Sequence, residues 1–211
     1  MDLIVDVTGV LLAGGQSTRM GRDKRFLPLG GRTLLARALS VLESLFAEVL
    51  LSVAKPLPEL AGLRHRVVTD VLPECATLGG LYSALLAAGT SRIFAAACDM
   101  PFLNQQVIRH MVNRDPQADL VIARLANGLH PMHAVYSKAC APHLAEMAKQ
   151  GNFKVQDLAG RPGLAVTVIP EDELSPIDAR LLSFMNINTP ADLELARKLL
   201  QGEHKRSGRH S

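Results

Sequence analysis

The chain has 211 residues, 48% of them apolar, which is enough for one large domain whose core needs no disulfide or metal staple. Its formal charge of +3 is too small for a nucleic-acid footprint, and Lys205, Arg206 and Arg209 near the C-terminus carry an equal amount. No apolar run reaches the ~20 residues that a bilayer span takes, residues 1–6 lack the parts of a signal peptide, and Cys75, Cys98 and Cys140 are too scattered for a disulfide framework or a zinc site, so the expectation is a cytoplasmic protein with neither nucleic acid nor membrane as partner.

Aromatic residues make up only 4% of the chain, so the core is built from Leu, Val, Ile and Ala, a balance suited to strands covered by helices. In chain order, Val7–Leu12 reads as a strand, and the stripe of Leu34, Leu35, Ala38, Leu39, Leu42 and Leu45 predicts a helix over 33–46. Strands follow at 48–53 and 65–69, a helix at 78–88, and a strand at 93–97 that runs into Cys98-Asp99. Asn104 is placed to cap a helix over 104–113. Strands at 120–124 and 134–136 are candidates for pairing with each other. Helices at 138–150 and 153–158 are split at Gly151, and a strand at 165–169 follows. Thr189-Pro190 opens a last helix over 191–200, with proline tolerated at the first position.

This alternation predicts a single-domain, Rossmann-like α/β fold with a mostly parallel sheet flanked by helices. The domain would cover residues 1–201, with one half over 1–112 and the other over 113–201. Residues 202–211 lack apolar side chains and read as a disordered tail.

The most informative stretch is 11–24. An apolar run ends at Gly14-Gly15, small polar residues follow, and Arg19, Gly21 and Lys24 close the loop. A Gly-Gly pair alone is ordinary turn punctuation. Two glycines, two cations and a hydroxyl pair in one loop are instead a grip for a polyphosphate, with backbone amides of Ala13, Gly14 and Gly15 turned toward the anion and Arg19 and Lys24 adding charge. The spacing matches neither the P-loop nor the dinucleotide fingerprint.

Ligands of open α/β sheets lie beyond the carboxyl ends of the strands, and Asp99 falls at that edge. Taken alone it could cap the helix that follows. Beside a phosphate loop it reads as a Mg²⁺ ligand, because Mg²⁺ takes oxygen from carboxylates and substrate phosphates together. Asp70 ends the 65–69 strand, where it could be a turn residue. His130 and His133 sit three apart in an extended segment, which directs their rings to opposite faces and speaks against a shared metal. Lys154 and Arg161 could meet the phosphate of a second substrate. Asn186 and Asn188 share one side of an extended stretch and could present two amides together.

The segment Leu12-Ala13-Gly14-Gly15-Gln16-Ser17-Thr18-Arg19-Met20-Gly21-Arg22-Asp23-Lys24 resembles the signature of nucleotidyltransferases of the molybdenum cofactor guanylyltransferase type. The resemblance continues through Leu27-Pro28-Leu29-Gly30-Gly31-Arg32-Thr33-Leu34-Leu35, Val68-Thr69-Asp70, Leu78-Gly79-Gly80-Leu81, Cys98-Asp99-Met100-Pro101-Phe102, His130-Pro131 with Ala134-Val135-Tyr136, and Asn186-Ile187-Asn188-Thr189-Pro190. One departure is Glu74-Cys75-Ala76-Thr77, where many relatives carry Gly-Pro.

The resemblance implies transfer of GMP from GTP to the molybdopterin cofactor, with release of pyrophosphate and with Mg²⁺ as cofactor. It implies that Leu12, Ala13, Gly14, Gly15, Lys24, Ser52, Asp70, Gly79 and Asp99 bind the nucleotide. Arg19, Lys24 and Asp99 would carry catalysis, with Asp99 on the metal. His130, Lys154, Asn186 and Asn188 would lie toward the pterin acceptor. A protein that delivers the pterin and a client molybdoenzyme are the partners it suggests. A related transferase using CTP or a sugar phosphate, and a non-catalytic nucleotide-binding regulator, are the alternative readings.

Overall fold

The computed structural model describes residues 2–14, 23–60 and 62–207. Along them strands and helices alternate: β1 (Val7–Leu12), the short pair β2 (Pro28–Leu29) and β3 (Arg32–Thr33), α1 (Leu34–Glu43), β4 (Val49–Val53), β5 (Arg66–Thr69), α2 (Ala76–Ala87), β6 (Arg92–Ala97), α3 (Gln105–Arg114), β7 (Leu120–Leu125), β8 (Gly128–Ser137), α4 (Cys140–Lys149), β9 (Val166–Pro170), α5 (Glu171–Leu174) and α6 (Pro190–Ser207). Among the described residues seven strands form one sheet in the order β5-β4-β1-β6-β8-β7-β9, and β8 is its one antiparallel member.

Burial on both faces explains the near-continuous apolar strands. Leu11, Phe94, Ala96, Leu51 and Val121 pack on one face beneath α1 and α3 residues such as Leu39 and Met111. Val10, Leu12, Ile93, Ala95 and Ile122 turn to the other, beneath Leu81 and Leu85 of α2 and Leu144 of α4. A third cluster, Leu29, Leu34, Ile187, Leu193 and Ala196, seats α6 over the β2–β3 pair.

Local chemistry sets the element ends. The Thr33 hydroxyl accepts from the Ala36 amide at 3.1 Å and starts α1. That helix stops at Glu43, short of the predicted Phe46, because Phe46 pairs as a β-bridge with Ile4 and stacks on Phe94 at 5.9 Å between centroids. Asn104 caps α3 as expected, accepting from Gln106 at 2.8 Å. The segment predicted as a helix over 153–158 is a 3₁₀ turn, Val155–Gly160. The last helix runs to Ser207, into the stretch read as a tail, since no proline or β-branched run stops it after Gly202.

Register brings the functional residues to one edge. Leu12 lies opposite Ser52 on β4 and Ala97 on β6, and Val53 lies opposite Thr69 on β5. The residues that follow, including Ala13, Asp70 and Asp99, therefore emerge side by side at the carboxyl end of the parallel strands. Strand β8 meets that edge from the other direction, with His133 opposite Ala96, so residues 128–132 overshoot it.

Candidate active site

Three strand ends and the start of α2 make the inner part of a cavity of about 220 Å³, lined there by Gly14, Ser52, Asp70, Ala76, Thr77 and Gly80. The Ser52 hydroxyl lies 3.0 Å from Asp70 Oδ1 and 3.1 Å from the Gly80 carbonyl, so its one proton serves both. Asp70 is only 7% exposed, and its burial pushes the carboxyl pKa up against the opposing effect of the Ser52 hydrogen bond. Gly80 is glycine because a Cβ there would stand 3.0 Å from Ser52 Oγ and 3.4 Å from Asp70 Oδ1.

Asp99 and Lys24 close the outer part of the same cavity, with Asn186 and Met132. Lys24 Nζ forms an ion pair with Asp99 Oδ2 and lies 3.5 Å from Asn188 Oδ1. Asp99 Oδ1 is buried and has no hydrogen-bond partner among the described residues. The backbone around the acid is fixed: Cys98 donates to the Leu12 carbonyl at 3.1 Å, and Asp99 accepts from Ile187 at 2.9 Å. Burial pushes the neighbouring Cys98 thiol up to about 12, so it is no nucleophile at neutral pH.

The asparagine segment is built by alternation and by a cap. Ile187 is fully buried while its two neighbours turn outward. Asp192 accepts from the amides of Asn188 (2.9 Å) and Thr189 (2.8 Å), and Thr189 Oγ1 accepts from Asp192 at 3.2 Å, a reciprocal box that starts α6. Asn186 thus lines the cavity and Asn188 reaches Lys24, as the shared-side reading expects.

Several predicted residues are placed otherwise. The Ala13 amide donates to the Ser52 carbonyl at 2.8 Å, so it extends the sheet instead of facing a phosphate. Gly79 turns away from the cavity: a Cβ there would stand 2.1 Å from the Leu72 carbonyl, and Gly80 is the glycine that lines it. Gly15 and Arg19 lie outside the described residues. Lys154 is exposed, and neither it nor His130 lines the cavity. His130 bonds Asn127 Oδ1 at 2.7 Å, and its ring meets the edge of Phe184 at 5.2 Å. His133 meets the same Phe184 ring at 4.5 Å, so the two histidines converge where strict alternation separates them. The cause is a bulge: Ile122 pairs with Ala134 but Arg124 with Leu129, and the pleat is lost between.

Arg25 is a strut. Its guanidinium grips Asp23 and donates to the Ala13 carbonyl at 2.6 Å, tying the far end of the loop to the end of β1. That hydrogen-bonded pairing holds the Asp23 carboxyl below its usual range and raises Arg25 further. The signal in the sequence was the Asp-x-Arg spacing; the carbonyl it reaches is visible only in the fold. Ala76 was also missed. It lines the cavity with φ +50°, a backbone region that L-residues rarely adopt.

A larger groove of about 620 Å³, lined by Arg32, Arg37, Asp178 and Arg180 among others, lies on the far side of Pro101. Its carboxylate, Asp178, is engaged by the Ser183 amide at 2.8 Å. The smaller cavity is the better candidate because it alone joins the β1, β4, β5 and β6 ends.

Residues 9–162 match the family described as MobA-like NTP transferase domain. The chain is 36% identical over 208 residues to a probable molybdenum cofactor guanylyltransferase of Pelotomaculum thermopropionicum, with 98% of each chain covered. It is 34% identical over 192 residues to the molybdenum cofactor guanylyltransferase of Desulfosudis oleivorans, covering 90% of this chain and 94% of that one. The crystal structure of molybdopterin-guanine dinucleotide biosynthesis protein A from Archaeoglobus fulgidus is similar with a TM-score of 0.80 at 25% identity, covering 93% of this chain and all of the other.

Proposed function

This chain belongs to the MobA-like NTP transferase family, and on that premise we propose that it transfers GMP from GTP to the terminal phosphate of molybdopterin, releasing pyrophosphate. It is a nucleotidyltransferase, a biosynthetic activity suited to the cytoplasm, and none of its described helices is long and apolar enough to cross a membrane. The observation that carries the reading is that the cation after β1 and the acid after β6 meet in the cavity that also holds Asp70.

The acceptor phosphate oxygen attacks the α-phosphorus, a P–O–P linkage forms, and the α–β bond breaks. The nucleophile is already ionised, so positioning and charge neutralisation suffice and no strong general base is required. Asp70, steadied by Ser52, accepts from the guanine edge. Lys24 neutralises phosphate oxygens, and Asn186 and Asn188 face the acceptor side. The residues fit a Mg²⁺ ion: Asp99 lines the cavity, its buried Oδ1 has no hydrogen-bond partner among the described residues, and one carboxylate with phosphate oxygens is a usual Mg²⁺ set. Bound there, the ion would polarise phosphoryl oxygens and offset charge between the two substrates.

Transfer of α-phosphate label to molybdopterin, measured with GTP against CTP, tests the reading. Preferential labelling from GTP with stoichiometric pyrophosphate is the expected result. Equal or better labelling from CTP, or nucleotide binding without pyrophosphate release, overturns it.

A further inference from the structure

The Lys24 ammonium and any divalent cation on Asp99 claim the same carboxylate. Nζ is paired with Oδ2, and it also approaches Asn188 Oδ1 at 3.5 Å. The two partners differ in freedom. Asp99 follows an apolar strand, is 9% exposed, and has its peptide bonded to Ile187 while the preceding amide is bonded to Leu12. Lys24 opens a three-residue 3₁₀ turn, and its side chain, at 22% exposure, is a flexible four-carbon stem carrying a point charge. When a second cation arrives, the lysine moves and the acid stays.

Resting on the nucleotidyl-transfer reading above, we infer that Lys24 is a built-in counter-ion: it keeps free divalent cations off Asp99 and passes to the phosphates when metal and nucleotide arrive together. Two cations sharing one carboxylate a few ångströms apart repel. A triphosphate removes that conflict, because it offers Lys24 new oxygens and shares the metal. Metal and nucleotide therefore bind with positive coupling, and reciprocity makes the gain the same from either side. The device spares the carboxylate a stable complex with bare metal, which would leave the lysine displaced before any substrate is present.

The test uses Mn²⁺ as probe, with free ion counted by electron paramagnetic resonance and GTP-only blanks subtracted. Without nucleotide, Lys24→Met should bind Mn²⁺ at least about tenfold more tightly than the wild type, a gain of roughly 1.4 kcal/mol. Lys24→Arg keeps a cation in place and should show no such gain, and Asp99→Asn combined with Lys24→Met should remove it. GTP should strengthen Mn²⁺ binding to the wild type, and that enhancement should shrink in Lys24→Met. Lys24→Gln, uncharged and hydrophilic, gives the same comparison if the methionine disturbs the loop, with thermal unfolding as the check on folding. Mn²⁺ binding by the uncharged variants no tighter than by the wild type overturns the counter-ion role. If that happens while GTP-dependent Mn²⁺ binding to the wild type persists, only this inference fails. If the wild type shows no GTP-dependent binding at all, the nucleotidyl-transfer reading fails with it.

Discussion

The Ile187 amide donates to the Asp99 carbonyl at 2.9 Å, which makes the acid and the asparagine segment parts of one rigid corner. Residues from the two ends of the chain's chemistry are thereby held against each other: the acid that ends β6 and the pair Asn186 and Asn188 that precedes α6. With Lys24 reaching both Asp99 and Asn188, the corner has an ammonium donor and its acceptor oxygens set before any substrate enters. Preorganised charge of this kind stabilises a transition state without reorganisation at the moment of reaction.

Replacing either ionic member should therefore cost rate and not fold. Lys24→Ala and Asp99→Asn are each expected to lower kcat/KM for guanylyl transfer by about 10²–10³-fold, the usual loss for one preorganised charge. Both are expected to keep the wild-type circular dichroism spectrum. A purified, folded variant with full turnover would show that the pair is structural.

Asp70 and Ser52 should set the choice of base. The exocyclic amine is the feature that separates GTP from ITP, so the wild type is expected to favour GTP in kcat/KM. Asp70→Asn replaces one accepting oxygen with a donor and should collapse the GTP/ITP ratio, a change on the order of 10–200-fold. Ser52→Ala should weaken the preference less, by about fivefold, since it removes a support worth about 1 kcal/mol and leaves the carboxylate. An unchanged ratio in Asp70→Asn would take the guanine edge away from this carboxylate.

Much of this corner was legible in the letters. Asp99 announced itself as an acid closing an apolar strand, and Lys24 as a cation in a glycine loop, because both signals are local. The sheet and its helices followed from apolar runs and periodic stripes for the same reason. What was not legible depends on distant partners. The Arg25 strut is one case: its acceptor, the Ala13 carbonyl, is twelve residues away and adjacent only once the loop closes. His130 and His133 were assigned opposite faces by a rule that holds only on an unbroken pleat. The β2–β3 hairpin passed unnoticed although Gly30 and Gly31 both take the left-handed φ (+60° and +77°) of a two-residue primed turn. Two-residue strands are too short to leave a period.

Backbone strain at the cavity rim gives opposite expectations for two neighbouring positions. Ala76 holds φ +50° and ψ −126°, where glycine is at home and a side chain costs roughly 1–3 kcal/mol. Ala76→Gly should raise stability by about 1 kcal/mol after the entropy added to the unfolded chain, or a Tm increase of about 2–4 °C. Gly79→Ala should lower stability by about 1–3 kcal/mol, because its methyl would press on the Leu72 carbonyl, which is backbone and cannot step aside. Thermal denaturation of the two variants checks both signs, and a destabilised Ala76→Gly would remove the case for strain there.

The buried histidine beside this corner should make the fold acid-sensitive. His133 is fully buried between Phe94 (5.1 Å, edge-on) and Phe184, and burial lowers its pKa to about 3, with the nearby His130 adding to the effect. A folded-state pKa below the unfolded value of about 6.5 means that the unfolded chain binds the extra proton first. The stabilising contribution is therefore complete above about pH 6.5 and is lost progressively as pH falls toward 3. Between pH 7 and pH 5 this one group should cost the fold about 2 kcal/mol. His130, whose pKa burial also lowers, acts in the same direction. Urea unfolding at the two pH values, compared between the wild type and His133→Leu, isolates the term: the variant should lose about 2 kcal/mol less over that interval. Equal losses would mean that His133 finds a proton-stabilising partner in the folded chain, and the acid sensitivity would then have to be assigned elsewhere.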